Sequence, residues 1–422
     1  GMTLTIALGQ RGDYLLFSTG DNAKHLATLG QGQTLAKRKE LKKMQRHIDE
    51  RIVSVGYVSE AFMKQVNNVG QQIDDAKGMI GTLLQLSELP EEVQERIVKE
   101  GGEILDDLKG VVPKVGAQFG YSYLVDNGYE GYSYSWGDST LDDSAPLTLT
   151  SQLGGNPILG VAIRTKYDPN DYDMFVNIFT KIGKLADEVV SDQLGAQEKQ
   201  VYTQVRDKVL PLLKRLDLTN RNNLVPAMAS NESSFVFDAK VKSAQPHNMM
   251  PLANNVLPLP EIAISAKVDD AAKLEAGASE YFSVVQEFLD ILHELEPDQF
   301  PKIVLPGPEV NEESWGNSYQ YSLPGEAGID DQIAHNAGLS KDLVVLSLAP
   351  QTTARLMLEQ PLDVAAFNVD IERPAGSVVY FNFGGLIDLI EPWINYGVDS
   401  AVDDAFFSGA IKSQVSDWTT IL

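Results

Sequence analysis

The chain has no cysteine, which removes disulfides, thiolate metal sites and cysteine nucleophiles together. Histidine is almost as scarce. His25, His47, His247, His293 and His335 are scattered, and no two stand two or four residues apart. His-Glu-x-x-His is absent, so the ligand spacing favoured by metal hydrolases is missing. The Gly-x-Ser-x-Gly turn of serine hydrolases is absent as well, although a Ser–His–Asp set drawn from distant positions stays open. No apolar run reaches the ~18 residues that span a bilayer. Basic residues are outnumbered: 34 Lys plus Arg stand against 59 Asp plus Glu, a formal charge of −25. A surface so acidic repels phosphate backbones and anionic lipid, which argues against nucleic acid as a partner.

What remains is ordinary for a soluble globular protein: 422 residues, 43% apolar and 22% charged, enough for two or three cores. Cysteine usage does not fix the compartment. Gly1 ahead of Met2 reads as a cloning remnant, so a targeting segment is expected to have been removed and the chain to be a piece of a longer protein.

Short β-rich runs predict strands at 13–19, 52–58, 118–125, 129–136, 158–165, 234–241, 261–268, 302–305, 318–323, 343–348 and 378–383. Helical spacing predicts helices at 60–86, 91–108, 172–190, 197–216, 278–295 and 386–396. Asp126-Asn127-Gly128, between two alternating runs, is the strongest turn signal. The polar stretches in 217–233 predict a boundary between two halves, 1–218 and 219–422. The class is α+β, with mostly antiparallel or mixed sheets covered by helices.

Two weak echoes suggest duplicated strand–helix units. Asp13-Tyr14-Leu15-Leu16-Phe17-Ser18 returns as Asp342-Leu343-Val344-Val345-Leu346-Ser347, each copy ahead of a helix-like segment. Tyr132-Ser133-Tyr134-Ser135 and Leu141-Asp142-Asp143 return as Tyr319-Gln320-Tyr321-Ser322 and Ile329-Asp330-Asp331. The run from Arg51 to Phe62, the run Asn127-Gly128-Tyr129-Glu130-Gly131-Tyr132-Ser133-Tyr134-Ser135-Trp136, and Asn336-Ala337-Gly338-Leu339-Ser340 with the strand after it resemble a family of large, uncharacterised exported bacterial proteins classed as a domain of unknown function. The resemblance implies export, to the periplasm or cell surface, and a repeated α+β architecture. It implies no catalytic residues.

Several constellations have two readings. Gly30-Gln31-Gly32 lacks a preceding strand, a third Gly and a Lys-Ser/Thr, so it reads as a helix stop and not as a phosphate loop. Asp168-Pro169-Asn170-Asp171-Tyr172-Asp173 sets oxygens at alternating spacing, which suits Ca²⁺, yet it has no Gly at the sharp turn and no Glu at the twelfth position. The plainer reading is a helix N-terminus capped by Asp171 or Asn170. Six adjacent Asp pairs, at 74–75, 106–107, 142–143, 269–270, 330–331 and 403–404, cannot flank a sugar from both sides, because adjacent residues do not share a face. The run Lys37, Arg38, Lys39, Lys42, Lys43, Arg46 predicts a basic helix face, while 258–335 holds sixteen acidic residues and three Lys. That contrast points either to electrostatic docking or to a solvated helix.

The best candidate surface is aromatic. Phe119, Tyr121 and Tyr123 alternate on one predicted strand, and Tyr132, Tyr134 and Trp136 on the next. Tyr121, Tyr123, Tyr132, Tyr134 and Trp136 are the candidate binding residues, a platform for a glycan or a protein partner. The competing reading is a tyrosine-rich sheet face packed under a helix. No cofactor or metal is expected. The sequence points to a non-enzymatic, exported structural or interaction protein; the alternative is a hydrolase or carbohydrate-binding enzyme with its site between the halves.

Overall fold

The computed structural model describes residues 5–401, except 13, 21, 29, 32–34, 88, 111, 322, 324 and 364–370. The chain forms two compact units. The smaller comprises residues 1–67 and 114–138, the larger 68–113 and 139–422. The expected division at 218 therefore falls inside the larger unit. There one sheet takes a strand from before that point and others from after it.

In the smaller unit, β1 (Thr5–Arg11) and β2 (Tyr14–Gly20) form an antiparallel hairpin. Three 3₁₀ segments follow, Lys24–Thr28, Leu35–Lys37 and Glu40–His47. A three-stranded antiparallel sheet then runs in the order β3 (Ile52–Val58), β4 (Gln118–Val125), β5 (Gly128–Ser135). The Asp126-Asn127 turn joins β4 to β5 as its sequence predicts. Below β4 and β5 the two chain segments approach so closely that a Cβ on Gly116 would lie 2.2 Å from the Gly137 nitrogen. The single helix expected over 60–86 is two: α1 (Glu60–Val66), capped by Ser59, and α2 (Val69–Gln85), capped by Asn68. Asn67 and Asn68 supply the break, since their side chains compete for backbone donors.

In the larger unit α2 packs on α3 (Glu91–Gly110) and α3 on α4 (Pro169–Gln193), with Arg96 paired to Asp192 at 3.0 Å. The helix α5 (Ala196–Thr219) runs through a π turn, Asn220–Leu224, into α6 (Val225–Ala227). It packs against α7 (Ala271–Leu295) through Leu212, Val284 and Ile291.

The remaining strands are β6 (Leu159–Arg164), β7 (Glu232–Asp238), β8 (Lys242–Ser243), β9 (Leu257–Pro258) and β10 (Glu261–Lys267). They continue with β11 (Glu309–Glu313), β12 (Gly316–Tyr321), β13 (His335–Leu339), β14 (Leu343–Ser347) and β15 (Ser377–Phe381). Eight of them make one antiparallel sheet in the order β11-β12-β13-β14-β10-β7-β6-β15. The chain is therefore α+β, with antiparallel sheets. The short helix α8 (Pro350–Met357) and the 3₁₀ segment Thr148–Gln152 cover one face of this sheet. Val236, Ala263, Leu343 and Val345 meet Leu149, Leu153, Leu356 and Met357 there. Gly338 lets α8 approach: a Cβ on it would lie 2.8 Å from Met357 and Thr353. The helix α9 (Phe383–Ala401) follows β15 directly. Residues 302–305, expected as a strand, are irregular, flanked by Pro301, Pro306 and Pro308. No helix among the described residues is long and apolar enough to cross a membrane.

Among the described residues the two sequence echoes do not occupy equivalent places. The echo partners β2 and β14 lie in a two-stranded hairpin and in the middle of the eight-stranded sheet. The partners β5 and β12 also occupy different sheets with different neighbours. What the copies share is local. Asp142 Oδ1 accepts from Ser144 N at 3.0 Å and Asp330 Oδ1 from Gln332 N at 2.9 Å, the same side-chain turn used twice. Alternating apolar residues and a turn carboxylate recur wherever strands begin, so they produce sequence likeness without a repeated domain.

Candidate functional site

The expected aromatic platform is covered over its β4 half, at Tyr121 and Tyr123, and Trp136 just after β5 is exposed. Phe119, Tyr121 and Tyr123 are buried, and Leu41 and Met44 of the 3₁₀ segment Glu40–His47 pack on them. The His47 ring stacks on Tyr123 at 4.7 Å and on Tyr132 at 5.3 Å between centroids, and its Nδ1 lies 2.9 Å from the Tyr121 hydroxyl. Lys43 Nζ sits 5.2 Å from the centre of the Tyr134 ring, and the Arg38 guanidinium 5.2 Å from that of Tyr57. Burial pushes the Tyr121 and Tyr123 hydroxyls well above the usual phenol range, with Tyr134 next at Tyr121 and Glu130 next at Tyr123. Tyr132 and Tyr134 are half-buried and Trp136 is 37% exposed. The basic run and the tyrosine hairpin, separate features in the sequence, are thus two sides of one contact. The signal that links them is the i, i+3 spacing of Leu41 and Met44 within the basic run.

The other sequence candidates have local roles. Asp168, and not Asp171 or Asn170, caps α4 by accepting from Asn170 N at 2.8 Å, and Asp173 pairs with Arg221. His247 Nδ1 accepts from Met249 N at 3.1 Å, and His293 Nδ1 lies 2.8 Å from the Phe300 carbonyl. Asp74, Asp106 and Asp107 pair with Lys109, Lys77 and Lys181, and Asp270 caps α7. The pair at 403–404 lies outside the described residues. Gly30 takes a left-handed φ of +77°, in keeping with a helix stop. Among the described residues no group of His, Asp and Glu is placed to hold a metal ion.

A buried charged constellation, without a local signal in the sequence, lies around Glu261. At the start of β10, Glu261 Oε1 accepts from Lys240 N and Val241 N, and Oε2 accepts from Thr352 Oγ1 and, at 2.9 Å, from Arg355 Nη2. Those four donors fill the acceptor capacity of a carboxylate. Arg355 Nη1 donates to Asp238 Oδ2 at 2.8 Å, and Lys240 Nζ lies 3.0 Å from that same oxygen. A second buried acid, Glu232, accepts from Leu149 N at 2.7 Å and from Thr148 Oγ1 at 3.1 Å, with Arg164 at 3.7 Å. Both acids fasten the covering elements to strand ends. Glu261 is saturated in this way and serves as a clamp, while Glu232 spends Oε1 on the 3₁₀ segment and faces Arg164 with Oε2.

The opposite face of the eight-stranded sheet is different. Register places Val379, Val161, Phe235, Ile264, Leu346, Ala337, Tyr319 and Val310 side by side from β15 to β11. A parallel row of Phe381, Leu159, Phe237 and Ile262 lies beside it. Toward β12 the row meets α7, where the Tyr319 hydroxyl donates to Glu275 at 2.9 Å. From β15 to β14 it is open: Val379 is 66% exposed, Leu346 52%, Phe381 52% and Ile264 51%. Beyond Pro260 the apolar surface continues onto α9, where Pro260, Leu389, Ile390, Trp393 and Ile394 line a shallow groove of about 400 Å³. Isolated exposed apolar residues are normal, but a contiguous patch on a regular element marks an interaction surface. Period-2 alternation in β10 and β15 would have found it, since Ile262, Ile264, Val379 and Phe381 sit on the face that a one-sided sheet gives to solvent.

No family model matches the chain, and no curated protein or solved structure matches it.

Proposed function

We infer that this chain is a non-enzymatic interaction protein whose docking surface is the open face of the eight-stranded sheet. One observation carries the reading: the aligned apolar rows of β15, β6, β7, β10 and β14, exposed at Phe381, Val379, Ile264 and Leu346. A partner covering them gains roughly 25 cal/mol for each Å² removed from water. The saturated clamp at Glu261 supports the non-catalytic side of the reading, because its carboxylate is spent on structure. The resemblance in sequence to exported bacterial proteins supports a place outside the cytoplasm.

A photo-reactive amino acid in place of Ile264, in the native host, tests the docking surface. The expected result is one discrete protein adduct that disappears when Leu346→Asp is added. A protein that labels nowhere at this position, or that labels equally with Leu346→Asp, would remove the reading.

A further inference from the structure

We propose that the occupant of the open sheet face is a second copy of this chain, the two sheets packing face to face about a twofold axis. The proposal rests on the docking reading above and adds the identity of the partner.

Charge is the first ground. The outward positions of the five open strands are Ser377, Val379 and Phe381; Leu159, Val161 and Ile163; Ser233, Phe235 and Phe237; Ile262, Ile264 and Ala266; Val344 and Leu346. None of them is charged. A strongly basic partner would suit a chain of net charge −25, but it would find no carboxylate on this patch and would have to strip water from its own cations without return. Two copies of an acidic chain repel everywhere except across a surface free of charge, and this is such a surface. An isologous contact also needs a patch that complements itself, and rows of similar apolar side chains do so in either direction.

Size is the second ground. Five strands at about 4.8 Å spacing and three rows of side chains about 6.7 Å apart give a patch roughly 20 Å on a side once side-chain width is added. With the strip along α9 it offers roughly 600 Å² per copy, or about 1,200 Å² for a pair, within the range of specific interfaces. Two twisted sheets packed in this way cross at about −30° and interdigitate their inner side chains. Half-buried Phe235 and Phe237 stand beside the exposed Ile264 and Ile262, so the patch alternates covered and open side chains for such packing to interdigitate.

Sedimentation of the purified chain across micromolar concentrations tests the proposal. The expected species has twice the mass of the 46.2 kDa chain. Association should strengthen with added salt, because screening relieves repulsion between acidic copies while leaving the apolar contact intact. Ile264→Asp with Leu346→Asp should give a monomer with an unchanged circular dichroism spectrum, while Lys42→Ala with Lys43→Ala should leave the dimer in place. A chain that stays monomeric at every concentration overturns the proposal, as does a dimer that weakens with salt and ignores the sheet substitutions. Should the double variant fail to fold, the photo-reactive residue at Ile264 decides on the purified unmodified fold: an adduct of two copies supports the proposal, and no such adduct sinks it. A monomer whose Ile264 probe labels a different protein in the host refutes the second copy and keeps the docking reading; a probe that labels nothing refutes both.

Discussion

Arg355 Nη2 lies 2.9 Å from Glu261 Oε2, and this contact ties α8 to the first residue of β10. The same guanidinium holds Asp238 at the end of β7 through its other nitrogen, at 2.8 Å. All three side chains are largely withdrawn from water. A charge pair in that setting contributes little compared with a well-packed apolar substitute, but loss of one member leaves its partner buried and uncompensated.

Arg355→Ala is therefore expected to destabilise the larger unit by about 3–5 kcal/mol, because two carboxylates lose their shared cation. Urea unfolding followed by circular dichroism measures it. Arg355→Lys should recover only part, since an ammonium cannot serve both acids in the fork geometry of a guanidinium. A loss below about 1 kcal/mol for the alanine variant would show that Lys240 alone balances Asp238 and Glu261.

Ser234 and Ser265 stand directly opposite each other on β7 and β10, and both hydroxyls are buried without a hydrogen-bond partner. An unsatisfied buried hydroxyl carries a desolvation cost of about 1–3 kcal/mol. Ser234→Ala with Ser265→Ala should thus raise the melting temperature, the opposite of the usual effect of a core substitution. A lowered melting temperature would mean that the pair holds a buried water.

The fold class was legible because strand alternation is local. The expected strand at 52–58 matches β3, and those at 118–125, 261–268 and 343–348 match β4, β10 and β14 to within a residue. The strands β11 and β13 were not legible: Glu-Val-Asn-Glu-Glu and His-Asn-Ala-Gly-Leu have no apolar alternation, and pairing with β12 and β14 makes them strands. The aromatic site was half legible. Period 2 placed Tyr121 with Tyr123, but nothing local says that a 3₁₀ segment more than seventy residues earlier lies on them. The Glu261 clamp was invisible for the same reason, since its Thr352 and Arg355 partners lie some ninety residues away.

Tyr121 and Tyr123 should resist ionisation. Burial raises both phenols above their ordinary value, so the folded state keeps protons that the unfolded state gives up near pH 10. A raised folded-state value contributes stability that is complete below about pH 10 and is lost as the pH climbs beyond it. In an alkaline absorbance titration the exposed tyrosines should ionise first, and these two only as the smaller unit unfolds. Tyr121→Phe should remove one late-titrating ring; a profile in which all tyrosines titrate together near pH 10 would contradict the burial.

His47 is the residue on which the covering of the tyrosine face depends. Its ring is stacked against both Tyr123 and Tyr132, and its Nδ1 meets the Tyr121 hydroxyl. Each aromatic contact is worth about 0.5–1.5 kcal/mol beyond the area it buries, and a hydrogen bond adds about 1 kcal/mol. His47→Ala should therefore cost the smaller unit about 2–3 kcal/mol. His47→Phe restores the stacking without the hydrogen bond and should recover more than half of that loss. Near-ultraviolet circular dichroism separates local release from global unfolding: release of the 3₁₀ segment alone changes the tyrosine signal and leaves the far-ultraviolet spectrum of the larger unit intact. If His47→Ala leaves both the tyrosine signal and the stability unchanged, Leu41 and Met44 hold the cover by themselves, and the histidine is a bystander.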